Sequence, residues 1–209
     1  MLRNNYLKQL KKSLKTTKIT FLIGARQVGK TTLLKDFAKD LKDYVFLSCD
    51  EVSLKEFSSA QDMLNYFALT KNIDFSKVKY LILDEVQLVK NISIFLKDLH
   101  DNYNFKIFAS GSGSLQIFQG MSESLVGRKE IINVYSFSFA EFLQSKEKKF
   151  FDISQFTETV GEIYEKFLEE YLIFGGYPEV VLNNDLNEKI KILLSIYKSY
   201  IDQDIYSYL

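Results

Sequence analysis

The chain has 209 residues, of which 46% are hydrophobic, and its basic and acidic residues balance to a formal net charge of zero. This length and apolar content suffice for one medium domain, or a domain with a small appendage, around a buried core. The single cysteine, Cys49, and the single histidine, His100, exclude a disulfide framework and a Cys/His zinc site within the chain. The sequence contains no signal-peptide pattern and no apolar run of membrane-spanning length, so we expect a cytoplasmic protein without a membrane partner.

The charges are unevenly distributed although they sum to zero. Lysines and arginines dominate before Asp36, the first acidic residue, and the chain after Arg128 is rich in Glu and Asp. A phosphate ligand near the amino terminus would account for part of this basic excess. A nucleic-acid surface and a solvated, lysine-rich helix face are the two explanations for the rest.

The first predicted elements are an amphipathic helix over residues 2–14 and a strand over residues 19–23. The apolar residues of the helix recur at helical spacing, with lysines on its other faces. The helix packs on the core or, if the segment that follows binds a nucleotide, touches the base through Tyr6 or Leu7. The strand is a run of apolar and β-branched residues that ends at Gly24.

A glycine-rich loop, GARQVGKTT, follows this strand. It fits the phosphate-binding pattern G-x-x-x-x-G-K-[ST] in the context that the pattern requires, with a strand before it and a helix after it. Glycines let successive backbone N–H groups turn toward a phosphate chain, and the following helix adds the positive end of its dipole. We therefore expect a nucleoside triphosphate, with Lys30 on the β- and γ-phosphates and the Thr31 hydroxyl on Mg²⁺. The predicted cofactor-binding residues are Gly24, Ala25, Arg26, Gln27, Val28, Gly29, Lys30, Thr31 and Thr32.

Helices and strands alternate after the loop, as in an α/β protein. The pattern predicts a helix over residues 30–41, a strand over Tyr44–Ser48, a capping box at residues 53–56 and a helix over residues 61–69.

Two carboxylates, Asp84 and Glu85, end the next apolar run, YLIL. Such a run indicates a fully buried parallel strand whose carboxyl end reaches a site. After a phosphate loop, Asp84 is expected to hold Mg²⁺ through water, and Glu85 to polarise the attacking water as general base. Gln87 is a further candidate for positioning. The competing interpretation is a solvated strand terminus.

Small hydroxyl residues follow the next strand, which is predicted over residues 105–109 after a helix over residues 92–99. The sequence SGSGS begins at Ser110, and a hydroxyl at the end of a strand beside the Asp84 strand suits a sensor of the γ-phosphate. Ser110 is the first choice for this role and Ser112 the second. The alternative for either residue is a serine-glycine turn that caps the next helix.

Arginine is rare in this chain, which contains only Arg3, Arg26 and Arg128. An arginine that neutralises transition-state charge on the γ-phosphate must be one of these or come from another subunit. Arg128, just before a fifth strand predicted over residues 130–135, is the best candidate for this catalytic role. A structural salt bridge near that strand is the competing interpretation.

From residue 136 onward the pattern is helical. A second capping box, from Ser138 to Glu141, opens one helix, and apolar residues indicate another over residues 163–173. The sequence GGYP then breaks the helical pattern. A last amphipathic helix is predicted over residues 189–208. The chain ends inside that pattern without a glycine or proline stop signal, which predicts a fragment of a longer protein.

Six segments, in this order, resemble the predicted prokaryotic AAA+-type ATPases, whose ATPase domain usually continues into a C-terminal domain of unknown function. They are GARQVGKTTLL, YLILDEVQ, the SGS after the fourth strand, SLVGR, SFSFAEFL and FGGYPEVV. The resemblance implies a P-loop NTPase core of five parallel strands sandwiched by helices, with the phosphate strand near the middle and a C-terminal α-helical lid. By matching positions it implies Lys30 and Thr31 as nucleotide ligands, Asp84 and Glu85 as the Mg²⁺ and water-activating pair, and Ser110 as the sensor.

The resulting prediction is an ATPase core over residues 1–135 and a helical lid over residues 136–209. Binding and hydrolysis of Mg-ATP would move the lid or an attached domain. The lid contains no arginine, which argues against an arginine sensor there, and the C-terminal domain that the resemblance implies is not in the sequence.

Other nucleotide-dependent functions fit the sequence less well. A GTPase is disfavoured because no N-K-x-D segment follows the Asp84 strand. A small-molecule kinase is disfavoured because it needs a substrate pocket with basic clamps and the second half of the chain is poor in arginine. The alternative is a non-hydrolysing, ATP-gated binding switch that acts on DNA or on a protein through a missing C-terminal part, and an oligomer is compatible with either function.

Overall fold

The computed structural model describes residues 3–52, 55–112, 125–146 and 157–202. The chain divides into two compact units. The first, here called the sheet unit, comprises residues 5–24 and 30–134. The second, the helical unit, comprises the residues before Asn5, residues 25–29 and the residues from Tyr135 onward.

Strands and helices alternate along the sheet unit. The strands are β1 (Ile19–Gly24), β2 (Tyr44–Ser48), β3 (Tyr80–Asp84), β4 (Lys106–Ser112) and β5 (Lys129–Asn133). The helices are α1 (Asn4–Ser13), α2 (Lys30–Ala38), α3 (Ala60–Lys71) and α4 (Ile92–Asn102), with 3₁₀ turns at Cys49–Val52, Phe75–Lys77 and Val86–Leu88. The sequence predicted β2 to the residue and the ends of the other strands to within about three residues.

The five strands form one parallel sheet in the order β2-β3-β4-β1-β5. This confirms the predicted P-loop α/β fold, with β1 between β4 and the edge strand β5. Because all strands run in one direction, their carboxyl ends meet at one edge of the sheet. The register places Ser112 opposite Gly24 and Ser48 opposite Asp84 at that edge.

The core of the sheet unit consists of apolar residues from the inner strands and from α3 and α4. Phe21, Leu81 and Ala109 of the sheet and Phe67 and Leu96 of the helices are fully buried. Strands covered on both faces are near-continuous apolar runs, because neither face meets water. This core fixes the strand ends from which the candidate site is built.

The helical unit contains α5 (Phe139–Ser145), α6 (Glu158–Phe174), α7 (Pro178–Leu182) and α8 (Leu186–Tyr200). The predicted capping box is present, since Ser138 accepts from the Glu141 N–H and the Glu141 side chain accepts from the Ser138 N–H. The aromatic rings of α5 and α6 then pack together around Phe142, which lies 5.5 Å from Tyr171 and 6.2 Å from Phe167 between ring centroids. Aromatic packing thus supplies most of the small core of this unit.

The break between α6 and α7 depends on two glycines with different roles. Gly175 ends α6 with a positive φ of 72°, a conformation that side chains rarely adopt. Gly176 lies against the backbone of Phe137, where a Cβ would come within 2.2 Å of the carbonyl oxygen. The Phe137 N–H also donates to the Gly176 carbonyl at 2.6 Å. Pro178 then starts α7, so the predicted break at GGYP is confirmed.

Several helix ends differ from the sequence predictions. Helix α2 ends at Ala38 rather than Leu41, because the N–H groups of Asp40 and Leu41 bond to carbonyls three residues back and tighten the last turn. Helix α8 begins at Leu186, three residues before the predicted start, because Asp185 caps the Glu188 N–H. The predicted capping box at residues 53–56 and the end of the last predicted helix fall partly outside the described residues.

Candidate functional site

The phosphate loop joins β1 to α2 and has its two ends in the sheet unit. Lys30, the first residue of α2, is 4% exposed, and its Nζ donates to the Gly24 carbonyl at 3.0 Å. Thr31 is partly buried and Thr32 is exposed. The first N–H groups of a helix have no hydrogen-bond partners within the helix and can bind an anion. The Lys30 ammonium group adds a positive charge at the same place, so the start of α2 suits a negatively charged ligand.

The middle of the loop, residues 25–29, belongs to the helical unit. Gln27 and Gly29 both have positive φ angles, 58° and 90°, which turn the backbone tightly. The buried Arg3 donates from Nη1 to the Val28 carbonyl at 2.7 Å and from Nη2 to the Tyr135 carbonyl. Arg3 therefore holds the loop through the carbonyl of Val28. Sequence reasoning missed this role, because a single arginine before a leader helix carries no local signal of such a contact.

The carboxyl ends of β3 and β4 bring Asp84, Glu85 and Ser110 together. Asp84 is 3% exposed and Ser110 is fully buried. The Ser110 hydroxyl donates to Oδ1 of Asp84 and accepts from the Glu85 backbone N–H at 3.2 Å. Its hydrogen and one lone pair are thus used to hold the two acidic residues. Ser110, the first choice for the γ-phosphate sensor, is therefore hydrogen-bonded to Asp84 and Glu85 in the structure.

The next residues fix the side chain of Glu85. Glu85 has a left-handed backbone with φ of 55°, uncommon for a residue with a side chain, and lies just before a 3₁₀ turn. Gln87, within that turn, donates from Nε2 to Oε2 of Glu85 and accepts the Ser112 N–H on Oε1 at 3.3 Å. Gln87 therefore connects the predicted general base to the end of β4.

Ser112, the second choice for the sensor, is the last residue of β4. It lies opposite Gly24, where the phosphate loop begins. Its side chain is 5% exposed, and Oγ has no hydrogen-bond partner among the described residues. A buried hydroxyl without a hydrogen-bond partner lowers the free energy of unfolding, and a bound ligand would supply such a partner. Of the two predicted serines, Ser112 is the one whose hydroxyl bonds to no other group in the described part of the chain.

Arg128 is not brought together with the other predicted catalytic residues. It precedes β5, and its carbonyl accepts the N–H of Ile19, the first residue of β1, at 2.7 Å. It therefore lies at the amino edge of the sheet, whereas Gly24, Asp84 and Ser110 lie at the carboxyl edge. Its Nε donates to Asp101 at 2.7 Å, as the salt-bridge interpretation predicted. The Arg128 guanidinium holds the pKa of Asp101 down at about 2.

The charge balance at the carboxyl edge suits a divalent cation. Among the described residues, no basic side chain forms an ion pair with the buried carboxylate of Asp84. A buried charge without a counter-charge is unfavourable, and a bound cation would relieve it. No group of three or more potential metal ligands occurs in the part of the chain that the structure describes. This donor set fits Mg²⁺, which is usually held by one or two protein oxygens together with waters and phosphates.

The lone thiol of the chain lies close to these carboxylates. Cys49 follows β2 directly and is fully buried. Burial, followed by the charges of Asp84, Asp50 and Glu85, raises the pKa of this thiol to about 12. The thiol is therefore neutral at physiological pH. It is unreactive in this form, because the thiolate is the nucleophile.

The chain is similar in sequence to a longer protein. Over 192 residues, 90% of the chain, it is 32% identical to the uncharacterized protein MJ1544 of Methanocaldococcus jannaschii. The chain spans only 41% of the length of that relative. The helices of the described residues include none with the length and hydropathy of a membrane span.

Two solved structures share the fold at low sequence identity. The Walker-type ATPase Paby2304 of Pyrococcus abyssi superposes with a TM-score of 0.59 at 15% identity, covering 98% of this chain and 74% of that one. DnaA from Aquifex aeolicus with bound AMPPCP gives a TM-score of 0.52 at 21% identity, covering 98% and 65%. A family profile described as "AAA domain" matches residues 16–143, more than half of the chain. The chain therefore belongs to the AAA domain family of P-loop ATPases.

Proposed function

We propose that the chain is a Mg²⁺-dependent ATPase module in which residues 24–32 bind the phosphate chain of ATP. The observation that carries this proposal is the hydrogen-bonded set of Asp84, Ser110 and Glu85 at the ends of two adjacent strands. The set places a buried carboxylate, which has no basic partner among the described residues, beside a second, partly buried carboxylate. A metal-holding carboxylate and a group that orients the attacking water are the acidic parts that hydrolysis of a nucleoside triphosphate requires.

Each residue has a definite role in this proposal. Lys30 exchanges its bond with the Gly24 carbonyl for the β- and γ-phosphates, whose charge it neutralises. The Thr31 hydroxyl and Asp84 would hold Mg²⁺, and the metal, when bound, offsets the charge of the phosphate oxygens. Glu85 accepts a proton from the attacking water as the water oxygen bonds to the γ-phosphorus and the bond to ADP breaks.

The support for the general base is its rigidity. The Glu85 N–H is bonded to Ser110 and its carboxylate to Gln87, so both its backbone and its side chain are held. Catalysis by a positioned group depends on such orientation, because misplacement of the order of 1 Å can cost about a hundredfold in rate. We assign Ser112 as the hydroxyl that contacts the γ-phosphate or its water, and we give Arg128 no role within its own chain.

We further propose that residues 1–135 act as the ATPase core and residues 136–209 as a lid. Turnover would move the lid or a domain attached to it as the contacts of the γ-phosphate are made and lost. A module that moves an attached domain is consistent with a relative more than twice as long as the matched region. The cytoplasmic location remains a prediction from the sequence.

The test of the binding site is Lys30→Ala, with Lys35→Ala as the control. Lys35 lies on the same helix and is exposed, so it shares the charge but not the position. We expect Lys30→Ala to weaken Mg-ATP binding at least about tenfold, because a charge-assisted bond is worth about 1.5–3 kcal/mol. Lys35→Ala should bind as the wild-type chain does. Equal affinity of Lys30→Ala and wild type, measured by calorimetry, would refute the site.

The non-hydrolysing switch is the alternative function, and phosphate release with and without DNA separates the two. Turnover in either condition supports the ATPase, and stimulation by DNA points to a DNA-dependent motor or loader. Binding of ATP without release of phosphate in both conditions supports the switch.

A further inference from the structure

The first helix of the sheet unit presents lysines on one exposed face. Lys8, Lys11 and Lys12 lie in α1, and Lys15 lies in the turn that extends the helix, since its N–H donates to the Lys12 carbonyl at 3.2 Å. Residues three and four positions apart are neighbours on a helix surface, so these lysines project from the same side of α1. All four residues are exposed.

Most of these charges are not neutralised within the described part of the chain. Lys11 forms an ion pair with Asp40 at 2.7 Å, whereas no ion pair of Lys8, Lys12 or Lys15 occurs among the described residues. Helix α1 contains no acidic residue, although every other described helix of nine or more residues contains Asp or Glu. A solvated helix face usually carries charges of both signs, so a face of one sign indicates a partner of the opposite charge.

The basic surface extends beyond α1. The ion pair of Lys11 with Asp40 places the segment before β2 next to the helix, and Lys42 in that segment is exposed. Lys18, which precedes β1, is exposed as well. All these residues belong to the sheet unit. The surface, here called the basic face, consists of Lys8, Lys11, Lys12, Lys15, Lys18 and Lys42.

The buried side of α1 argues against a membrane as the partner. A helix that binds a membrane surface inserts its apolar side among the lipids. Leu7 and Leu10 are only 9% and 0% exposed, because they pack inside the protein, so α1 has no apolar side to insert. On its exposed side, Asn5 and Gln9 accompany the lysines. Lysine, asparagine and glutamine side chains all donate hydrogen bonds to the phosphate oxygens of nucleic acids.

The composition of α1 and of the basic face favours a duplex over a single strand. Proteins that bind single strands stack the bases on aromatic side chains, and the one aromatic residue of α1, Tyr6, is partly buried. The basic face contains no arginine, the residue that most often reads guanine, so its contacts are with phosphates and independent of base sequence. The major groove of B-form DNA is wide enough for an α-helix, whereas that of A-form RNA is too narrow.

We propose that the basic face binds the phosphate backbone of double-stranded DNA without sequence preference. From Lys8 to Lys15 the face extends about 10 Å, at 1.5 Å per residue, and DNA carries one charge per about 1.7 Å of its axis. Several phosphates are therefore within reach of the lysines at once. This inference does not rest on the proposed ATPase function, because the basic face needs no nucleotide. It assigns a DNA contact to the AAA domain itself rather than to a missing C-terminal part.

The experiment measures binding of a fluorescently labelled DNA duplex of mixed sequence by fluorescence anisotropy at several salt concentrations. Three phosphate contacts give a slope of about −2.7 for log affinity against log salt, so wild-type affinity should fall at least about 40-fold from about 50 to about 200 mM salt. The triple variant Lys8→Gln, Lys12→Gln, Lys15→Gln should bind at least about tenfold more weakly at the lower salt concentration. Its slope should be shallower by about 2.7.

The control is the triple variant Lys71→Gln, Lys90→Gln, Lys97→Gln. It removes the same charge from exposed positions on or beside α3 and α4. Because exposed charges are screened beyond about 10 Å, we expect this variant to bind DNA within about twofold of wild type. The two triple variants have equal net charge, so a difference between them is due to the position of the lysines.

Several outcomes would overturn the inference. One is a wild-type chain that does not bind the duplex at the lower salt concentration, and another is an equal loss of affinity in both triple variants. Affinity for single-stranded DNA, duplex RNA or phosphatidylserine vesicles that equals or exceeds the affinity for duplex DNA would assign a different partner. If circular dichroism shows that the α1 triple variant is unfolded, Lys12→Gln decides. Its slope should be shallower by about 0.9, and an unchanged slope overturns the inference.

Discussion

The polar groups at the two edges of the sheet differ in their partners. At the amino edge, charges occur in pairs, such as Arg128 with Asp101 at 2.7 Å and Lys79 with Asp43 at 2.8 Å. At the carboxyl edge, the described residues provide Asp84 with a hydroxyl but no basic partner, and leave the Ser112 hydroxyl without any partner. Paired surface charges contribute little to stability and need no function, whereas buried groups without partners cost free energy. This difference supports the proposal that ATP binds at the carboxyl edge.

If the carboxyl edge is the site of hydrolysis, Glu85→Gln should have the largest effect on ATP turnover. The change keeps the size of the side chain but removes the proton acceptor, so we expect phosphate release to fall about 10²- to 10⁴-fold with ATP binding retained. The control is Glu51→Gln, since Glu51 is an exposed acidic residue that pairs with Lys71. If Glu85→Gln hydrolyses ATP at the wild-type rate in a phosphate-release assay, the base lies elsewhere.

Ser110→Ala should mainly reduce stability. The variant leaves the Asp84 carboxylate and the Glu85 N–H without their shared partner in a buried position. We expect a loss of about 1–3 kcal/mol in the free energy of unfolding, measured by denaturant titration, together with slower turnover. An unchanged midpoint of unfolding would mean that water replaces the hydroxyl, and the positioning role would be wrong.

Ser112→Ala should show the opposite pattern. Its hydroxyl has no partner among the described residues, so we expect the free energy of unfolding to change by less than about 0.5 kcal/mol or to rise slightly. Turnover should fall about tenfold, the effect of one hydrogen bond to a charged group. Equal losses of stability in the two serine variants would remove the distinction between them.

The smallest effect is expected at the amino edge, from Arg128→Gln. ATP turnover by a single chain should stay within about twofold of wild type, because this side chain is at the opposite edge of the sheet.

The same variant should change the pH dependence of stability. The pKa of Asp101 is about 2 in the folded chain, lowered mainly by Arg128, against about 3.9 in an unfolded chain. The pair therefore stabilises the fold above about pH 4, and this contribution is lost as the pH falls through 2. The difference in Tm between wild type and variant should shrink over that range. A large loss of turnover that is restored by added wild-type chain would instead assign Arg128 to a neighbouring subunit.

The elements that the sequence predicted best are those encoded locally. The phosphate loop, β2 and the capping box at Ser138 depend on residues within a few positions of one another, so pattern and spacing are enough to find them. The pair Asp84 and Glu85 was found in the same way, because it ends a buried strand.

What the sequence did not reveal depends on register and on contacts between distant residues. Ser110 and Ser112 point to the same side of β4, and only the pairing with β3 and β1 shows that Ser110 lies beside Asp84 and Ser112 opposite Gly24. The contact of Arg3 with Val28 is likewise invisible in any local pattern. For Arg128 a signal was present, since a residue before a parallel strand lies at the amino edge, away from the loop.

Because Cys49 is buried, the reactivity of its thiol can report local unfolding of the carboxyl edge of the sheet. This thiol follows β2 at the carboxyl edge, and its pKa of about 12 keeps it unreactive in the closed structure. In any open form its pKa returns toward about 8.5, and an alkylating reagent can then modify it. The labelling rate at a given pH therefore measures how often this edge opens, in the way that hydrogen exchange measures local unfolding. Because the sequence has no other cysteine, such a measurement needs no engineered label.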